Sequence, residues 1–110
     1  MNFRKHFQKI LKTHRSDKIK VYLIHLETPI TRSNGVHVQH YCGSTNDLER
    51  REHEHRSGHN GSPLLNLANQ KGIKWAIVQA WNADRTVERW IKQQKNAARY
   101  CPKCQGVPLI

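Results

Sequence analysis

Acidic residues are scarce in this 110-residue sequence. Asp and Glu number 8 against 19 Lys and Arg, which gives a formal net charge of +11. Such a surplus of positive charge opposes compaction by self-repulsion and favours a polyanionic partner. Nucleic acid is the leading candidate partner, and an acidic membrane surface is the second. So few carboxylates also argue against an active site built on two metal ions, because such a site needs several of them.

Long apolar runs and cysteines are scarce as well. No stretch approaches the roughly 20 apolar residues of a membrane-spanning helix, so we expect no membrane partner. The first residues are not followed by an apolar segment of the signal-peptide kind, and we therefore expect a cytoplasmic protein. Three cysteines in a reducing compartment are not expected to form structural disulfides.

The chain is predicted to divide into three segments within one small domain. Residues 1–18 form a basic amphipathic N-terminal extension that either covers apolar surface or grips DNA. Residues 19–100 form the folded domain, and residues 101–110 form a tail with a Cys-x-x-Cys pair. Four apolar residues recur at helical spacing in the extension: Phe3, Phe7, Ile10 and Leu11.

The predicted fold is of the α/β class (α+β type), a small three-stranded, mainly antiparallel sheet flanked by helices. Residues 18–26 and 36–42 show the alternating side-chain pattern that is typical of β-strands, and Asn34-Gly35 marks a turn in the long loop between them. Residues 73–81 are almost continuously apolar, which predicts a central strand covered on both faces. Ser62-Pro63 begins a short helix, and a last helix runs from residues 84–86 toward residue 99.

The stretch after the second strand carries the most chemistry. A glycine turn at Gly43 leads into a helix that Asn46 caps and Glu49 completes as a capping box. At 100° per residue, Leu48, Arg51 and His55 fall within about 60° of one another on that helix. Leu48 is the expected core anchor, so Arg51 and His55 lie at the edge of the sheet, with Tyr41 facing the same space. A hydroxyl, a guanidinium and an imidazole together suit a phosphate.

These residues, in this order, resemble the GIY-YIG nuclease family over roughly residues 19–100. The first signature appears as Lys20-Val21-Tyr22 and the second as Tyr41-Cys42-Gly43. Arg51 matches the family's helix arginine, and His55 matches the His or Tyr one turn later. Glu88 matches the single metal-binding glutamate, and Asn96 is a weaker match. The sequence departs from the family at Lys20, where the name-giving glycine would stand, and in its longer hairpin loop.

The resemblance implies a DNA endonuclease that hydrolyses phosphodiester bonds with one divalent metal ion, Mg²⁺ or Mn²⁺. Glu88 would hold the metal, and Arg51 would neutralise the developing charge. Tyr22 is the general base that the resemblance implies, and His55 is the rival by intrinsic pKa. The candidate catalytic residues are Tyr22, Tyr41, Arg51, His55 and Glu88. The candidate DNA contacts, on duplex or branched DNA bound by a monomer or weak homodimer, are Arg50, Arg56, Lys92, Lys95 and Asn96.

Other interpretations of the same residues stay open. Tyr22 alone would suit a core position, and Glu88 with Lys92 would suit an ordinary i,i+4 ion pair. A non-catalytic nucleic-acid-binding module would use the same basic cleft, and a membrane-surface protein would use the N-terminal segment. Cys42 is expected to be a small buried hydrophobe.

Zinc is not expected, because a structural zinc site needs four ligands. Cys101 and Cys104 form the only cysteine pair in the sequence, so the other two ligands would have to come from distant histidines. His53 and His55 lie about 200° apart around a helix, an arrangement that does not suit a shared metal ion.

Overall fold

The computed structural model describes residues 3–59 and 61–106 and confirms the α+β architecture. The Phe3 side chain and residues 107–110 of the predicted tail fall outside this part of the chain. The elements in chain order are α1 (Phe3–Thr13), β1 (Arg15–Thr31), β2 (His37–Thr45), α2 (Leu48–Ser57), α3 (Pro63–Gln70), β3 (Trp75–Ala83), α4 (Arg85–Gln94), a 3₁₀ helix (Ala97–Tyr100) and α5 (Pro102–Gln105).

The sheet is antiparallel with the strand order β2-β1-β3. β1 is the central strand, because residues 21–26 are all buried and so face apolar layers on both sides. The prediction that residues 73–81 form the central strand is wrong, since β3 lies at the edge and pairs with β1 alone in the described chain. Ala76 on β3 is exposed, which shows that an apolar run does not by itself require burial on both faces.

Two apolar clusters cover the two faces of β1, as alternation along a strand requires. Val21 and Leu23 face the first cluster, where α4 contributes Val87 and Ile91. Tyr22, Ile24 and Leu26 face the second, which includes residues of α3 and β3. Tyr22 therefore lies on the opposite face of the sheet from the inner side of α4.

α1 packs on the first face through Phe7, which is buried. Its ring lies 4.7 Å from the Tyr100 ring and 5.7 Å from the Trp90 ring, centroid to centroid. The N-terminal segment thus covers apolar surface of the domain, and its contact with DNA stays a prediction. None of the helices in residues 3–59 and 61–106 is long and apolar enough to cross a membrane.

Several element ends differ from the predicted ones for local reasons. Asp47, not Asn46, caps α2, because its side chain accepts a hydrogen bond from the Arg50 amide. Gly43 lies inside β2 rather than in a turn. α4 ends at Gln94 because Lys95 adopts a left-handed conformation with φ of 55°. The cap of α3 by Ser62 and the turn at Gly35 are confirmed.

Candidate active site and metal centre

The centre of the candidate active site is a hydrogen bond between β1 and α2. The Tyr22 hydroxyl lies 2.7 Å from His55 Nε2, and both side chains are buried. Burial, and after it the nearby positive charge of Arg51, lowers the pKa of His55 to about 4. Burial also raises the pKa of the Tyr22 hydroxyl, and Tyr41 adds to that rise. At neutral pH the pair is therefore a phenol beside a neutral imidazole.

Aromatic rings surround His55 and hold it in place. The Tyr41 ring lies 5.3 Å and the Trp75 ring 6.4 Å from the His55 ring, both edge to face. Asn69 ties the same region together, because its amide donates to the His55 carbonyl while its oxygen accepts from the Trp75 indole. His55 Nδ1 has no hydrogen-bond partner in the described chain. Such a buried unpaired nitrogen costs stability, which is typical of sites kept for chemistry rather than for packing.

Arg51 joins the Tyr22–His55 pair to the surface. Its guanidinium hydrogen-bonds to the Tyr22 hydroxyl, which lowers the pKa of that hydroxyl against the effect of burial. Glu54 holds the same group at 3.2 Å, and the Arg51 side chain is 25% exposed. Tyr22, Tyr41, Arg51 and His55 thus form one contiguous cluster, and the predicted proximity of Tyr41, Arg51 and His55 is part of it.

Glu88 lies beside this cluster rather than within it. Its carboxylate accepts hydrogen bonds from the Ser44 hydroxyl at 2.5 Å and from the Lys92 ammonium at 2.7 Å. Cys42 shares the first apolar cluster with α4, so Ser44, two residues along β2, meets Glu88 on the opposite face from Tyr22. Glu88 is still near enough to raise the pKa of the Tyr22 hydroxyl slightly. The two parts of the site meet around the end of β2.

Four of the five predicted DNA contacts line three neighbouring grooves, and the fifth, Arg56, lies elsewhere. Arg50 lines a groove at the start of α2 together with Lys18, Arg51 and Arg85. Arg85 also begins a second groove along α4, which holds Glu88, Arg89, Lys92 and Lys95. A third groove shares Lys92 and Lys95 and adds Arg32 and Asn96. These three grooves form a continuous basic surface around Glu88.

Arg56 does not belong to that surface. Its guanidinium stacks over the Trp75 ring at 3.9 Å and pairs with Glu52 at 3.0 Å. The groove that it lines contains Asn69, Lys74 and Trp75, and it shares no residue with the three grooves around Glu88.

A second constellation lies where the C-terminal segment crosses the β1–β2 hairpin. One nitrogen or sulfur atom from each of four side chains lies within 4.8 Å of all the others, in His25, His40, Cys101 and Cys104. The expectation of Mg²⁺ or Mn²⁺ with zinc unlikely is therefore wrong. Two imidazoles and two thiols form a zinc-type donor set, whereas hard cations such as Mg²⁺ prefer oxygen ligands.

Zinc was not expected from the sequence because the histidines considered as ligands, His53 and His55, are not the ones that lie near Cys101 and Cys104. His53 and His55 lie on α2, outside the cluster, and His55 is committed to Tyr22. His25 and His40 are direct partners across the β1–β2 ladder. The pairing is irregular between the turn and these histidines: the pair Ile30–Val38 is followed by the pair His25–His40, a step of five residues on β1 but of only two on β2. Regular pairing extended from the Asn34-Gly35 turn would therefore not place His25 opposite His40.

No family model matches this chain, and neither does any curated protein or any solved structure.

Proposed function

We propose that this protein hydrolyses phosphodiester bonds in DNA, at the site formed by Tyr22, Arg51, His55 and Glu88. The observation that carries the proposal is the 2.7 Å contact of the Tyr22 hydroxyl with His55 Nε2, beside the Arg51 guanidinium. A group that moves a proton and a group that stabilises developing negative charge are the parts that such a hydrolysis requires. The resemblance to GIY-YIG nucleases, carried by the same residues, supports this choice.

Tyr22 and His55 share the proton-transfer role. His55 is neutral at pH 7, and in the tautomer that carries its proton on Nδ1 the lone pair of Nε2 accepts a proton from the Tyr22 hydroxyl. Because His55 is fully buried, it does not touch the attacking water itself. Tyr22 is the group that contacts the water, and His55 takes up the proton behind it. The low pKa of the imidazole favours release of that proton after the reaction.

Arg51 stabilises the phosphate and opens access to Tyr22. In the free protein its guanidinium hydrogen-bonds to the Tyr22 hydroxyl, which is otherwise buried. A phosphate that draws the guanidinium toward itself uncovers the hydroxyl for water. Guanidinium groups bind phosphate oxygens with paired hydrogen bonds and keep their charge at every physiological pH. The substrate thus completes the site that cleaves it.

Glu88 is the residue that we assign to a divalent metal ion. Its carboxylate is 18% exposed and already binds one cation, the Lys92 ammonium, while Ser44 fixes its orientation. A carboxylate that is oriented by a hydroxyl and paired with an exposed ammonium fits a site for a metal cation, which would take the place of Lys92. When bound, the metal supplies positive charge to a phosphate oxygen.

The basic surface around Glu88 supports DNA as the substrate. Cationic residues line all three grooves, so a phosphate backbone lying along α4 meets positive charge in each of them. Duplex or branched DNA, a cytoplasmic location and a monomeric or weakly dimeric protein belong to the same proposal. The choice of DNA as the substrate rests on the net charge of +11.

Nicking of supercoiled plasmid, measured with a series of added divalent cations, tests the proposal. Wild-type protein should nick the plasmid. Glu88→Gln keeps the size of the side chain but removes its charge, and should slow cleavage by about 100-fold or more. DNA binding by this variant should stay equal or become slightly tighter, because a negative charge leaves a basic surface. Glu52→Gln is the matched control, since Glu52 also forms an i,i+4 ion pair on a helix, with Arg56, and should cleave like wild type.

A non-catalytic nucleic-acid-binding module is the second candidate function. The 2.7 Å ion pair of Lys92 with Glu88 favours it, because the only carboxylate of the α4 groove is then neutralised without a metal. Binding of DNA without nicking under every cation would contradict the nuclease proposal and support this alternative.

A further inference from the structure

We infer that His25, His40, Cys101 and Cys104 bind one zinc ion, which fastens the C-terminal segment of the chain to the β1–β2 hairpin. This site does not depend on the proposed nuclease function. It shares no residue with the cluster of Tyr22, Arg51 and His55, and it uses none of the oxygen ligands of Glu88.

The spacing of the donor atoms fits a tetrahedral zinc ion. His25 Nδ1 and His40 Nε2 lie 3.2 Å apart. Zinc with bonds of about 2.0–2.1 Å to nitrogen and about 2.3 Å to sulfur places two nitrogens about 3.3 Å apart and a nitrogen and a sulfur about 3.5 Å apart. Three of the four nitrogen-to-sulfur distances are 3.5 Å for His25 Nδ1 to Cys101 Sγ, 3.5 Å for His25 Nδ1 to Cys104 Sγ and 3.3 Å for His40 Nε2 to Cys104 Sγ, and the fourth is at most 4.8 Å.

Hydrogen bonds among these side chains do not explain the same arrangement. His25 Nδ1 lies within 3.5 Å of three other donor atoms at once. A ring nitrogen has either one proton to donate or one lone pair with which to accept, so it does not satisfy three partners. Lone pairs of four side chains that converge on one point are the arrangement that a metal ion requires.

Each ligand is placed by a regular element of the fold. His25 and His40 are opposite each other on antiparallel strands, where side chains project to the same face. Pro102 starts α5 immediately after Cys101, and the single turn of this helix brings Cys104 back to the same side. An ion pair of Lys103 with Glu27, at 3.8 Å, joins the two segments beside the cluster. The three cysteines of the chain are free, so no disulfide competes for the sulfurs.

The donor set also selects the metal and its role. Thiolates and imidazoles bind zinc in preference to Mg²⁺, Ca²⁺ or Mn²⁺. Four protein ligands fill a tetrahedral ion and leave no position for a reacting water, so the zinc is structural. Its effect is to hold α5 and the 3₁₀ helix against the hairpin. Both His40 and residues 96–98 line the third groove, so the zinc also fixes one wall of that groove.

Metal content and a cobalt spectrum test the inference. The full-length protein, purified without added chelator, should retain about one zinc per chain by mass spectrometry of the metal. After exchange into Co²⁺ it should show the absorption of tetrahedral cobalt with a thiolate charge-transfer band. Cys104→Ser should lose the zinc and the charge-transfer band while keeping its circular dichroism, since Cys104 is exposed. His40→Asn is the second variant, with the same expected loss.

Cys42→Ala is the matched control, because Cys42 is the one cysteine outside the cluster. It should retain zinc like wild type. Wild-type protein that retains no zinc and gives no charge-transfer band with Co²⁺ would overturn the inference. So would folded Cys104→Ser and His40→Asn variants that retain zinc, or a content of half an ion per chain, which would mean a site shared by two chains.

Discussion

At the scale of single residues, the candidate active site depends on the missing side chain of Gly43. Gly43 pairs directly with Tyr22 across the β1–β2 ladder. A Cβ at position 43 would lie 2.5 Å from the Tyr22 hydroxyl oxygen and 2.7 Å from the ring carbon that bears it. The glycine therefore serves neither a turn nor a left-handed backbone. It leaves the space in which the Tyr22 hydroxyl reaches His55.

Gly43→Ala should reduce the free energy of unfolding by about 1–3 kcal/mol, because the added methyl group overpacks a buried position. Urea unfolding measures the loss. Gly61→Ala is the matched control, since it makes the same chemical change where the atom closest to the new Cβ is Asn66 Oδ1 at 3.1 Å, instead of a tyrosine hydroxyl at 2.5 Å. Equal stability of the two variants would mean that Tyr22 moves aside without cost.

The residue scale also shows how far the sequence identified the site. The proximity of Tyr41, Arg51 and His55 was predictable, because helical spacing and strand ends fix which side chains share a face, whereas Tyr22 was indicated only by the resemblance to GIY-YIG nucleases. The burial of His55 was not predictable, since it depends on Tyr41 of β2 and Trp75 of β3, which lie far from it in the sequence or on another element. The Ser44 partner of Glu88 was equally hidden, because β2 and α4 are far apart in the sequence.

At the scale of elements, sequence signals between neighbouring residues predicted the helix starts correctly, whereas the pairing of distant segments was not predictable. Ser62-Pro63 starts α3 and Asp84 starts α4, because capping chemistry involves only neighbouring residues. The position of β3 at the edge depends on which strands pair, and no local pattern encodes that. The zinc-type cluster depends on an irregular pairing of the hairpin near Pro29 and on a segment 61 residues beyond His40. Sequence spacing therefore gave half of the metal site, the Cys-x-x-Cys pair, and missed the rest.

Helix α1 is the element whose role stability measurements decide. Phe7→Ala should lower the free energy of unfolding by about 3–5 kcal/mol, because the ring fills a pocket among Trp81, Trp90 and Tyr100. Gln8→Ala on the same helix is the control, since Gln8 is exposed and should have little effect. Thermal or urea unfolding of both variants gives the comparison. If Phe7→Ala unfolds like Gln8→Ala, α1 does not belong to the core and acts as a separate arm.

At the scale of the whole molecule, the basic grooves and the residues proposed to act on DNA lie around the end of one strand. The basic grooves along α4 and at the start of α2 meet near the end of β2, where Ser44 contacts Glu88 and where Arg51 covers Tyr22. The zinc-type cluster sits farther back along the same two strands and supports the third groove. A domain of this size thereby keeps a structural metal site separate from the residues proposed to act on DNA.

The most direct test of this account is the single-turnover cleavage rate of DNA held by an excess of Tyr22→Phe protein, compared with wild type. The substitution removes only the hydroxyl that contacts His55 Nε2 at 2.7 Å and keeps the buried ring. We expect a folded variant that binds DNA like wild type and cleaves it about 100-fold more slowly or worse. A Tyr22→Phe protein that cleaves bound DNA at the wild-type rate would contradict this account.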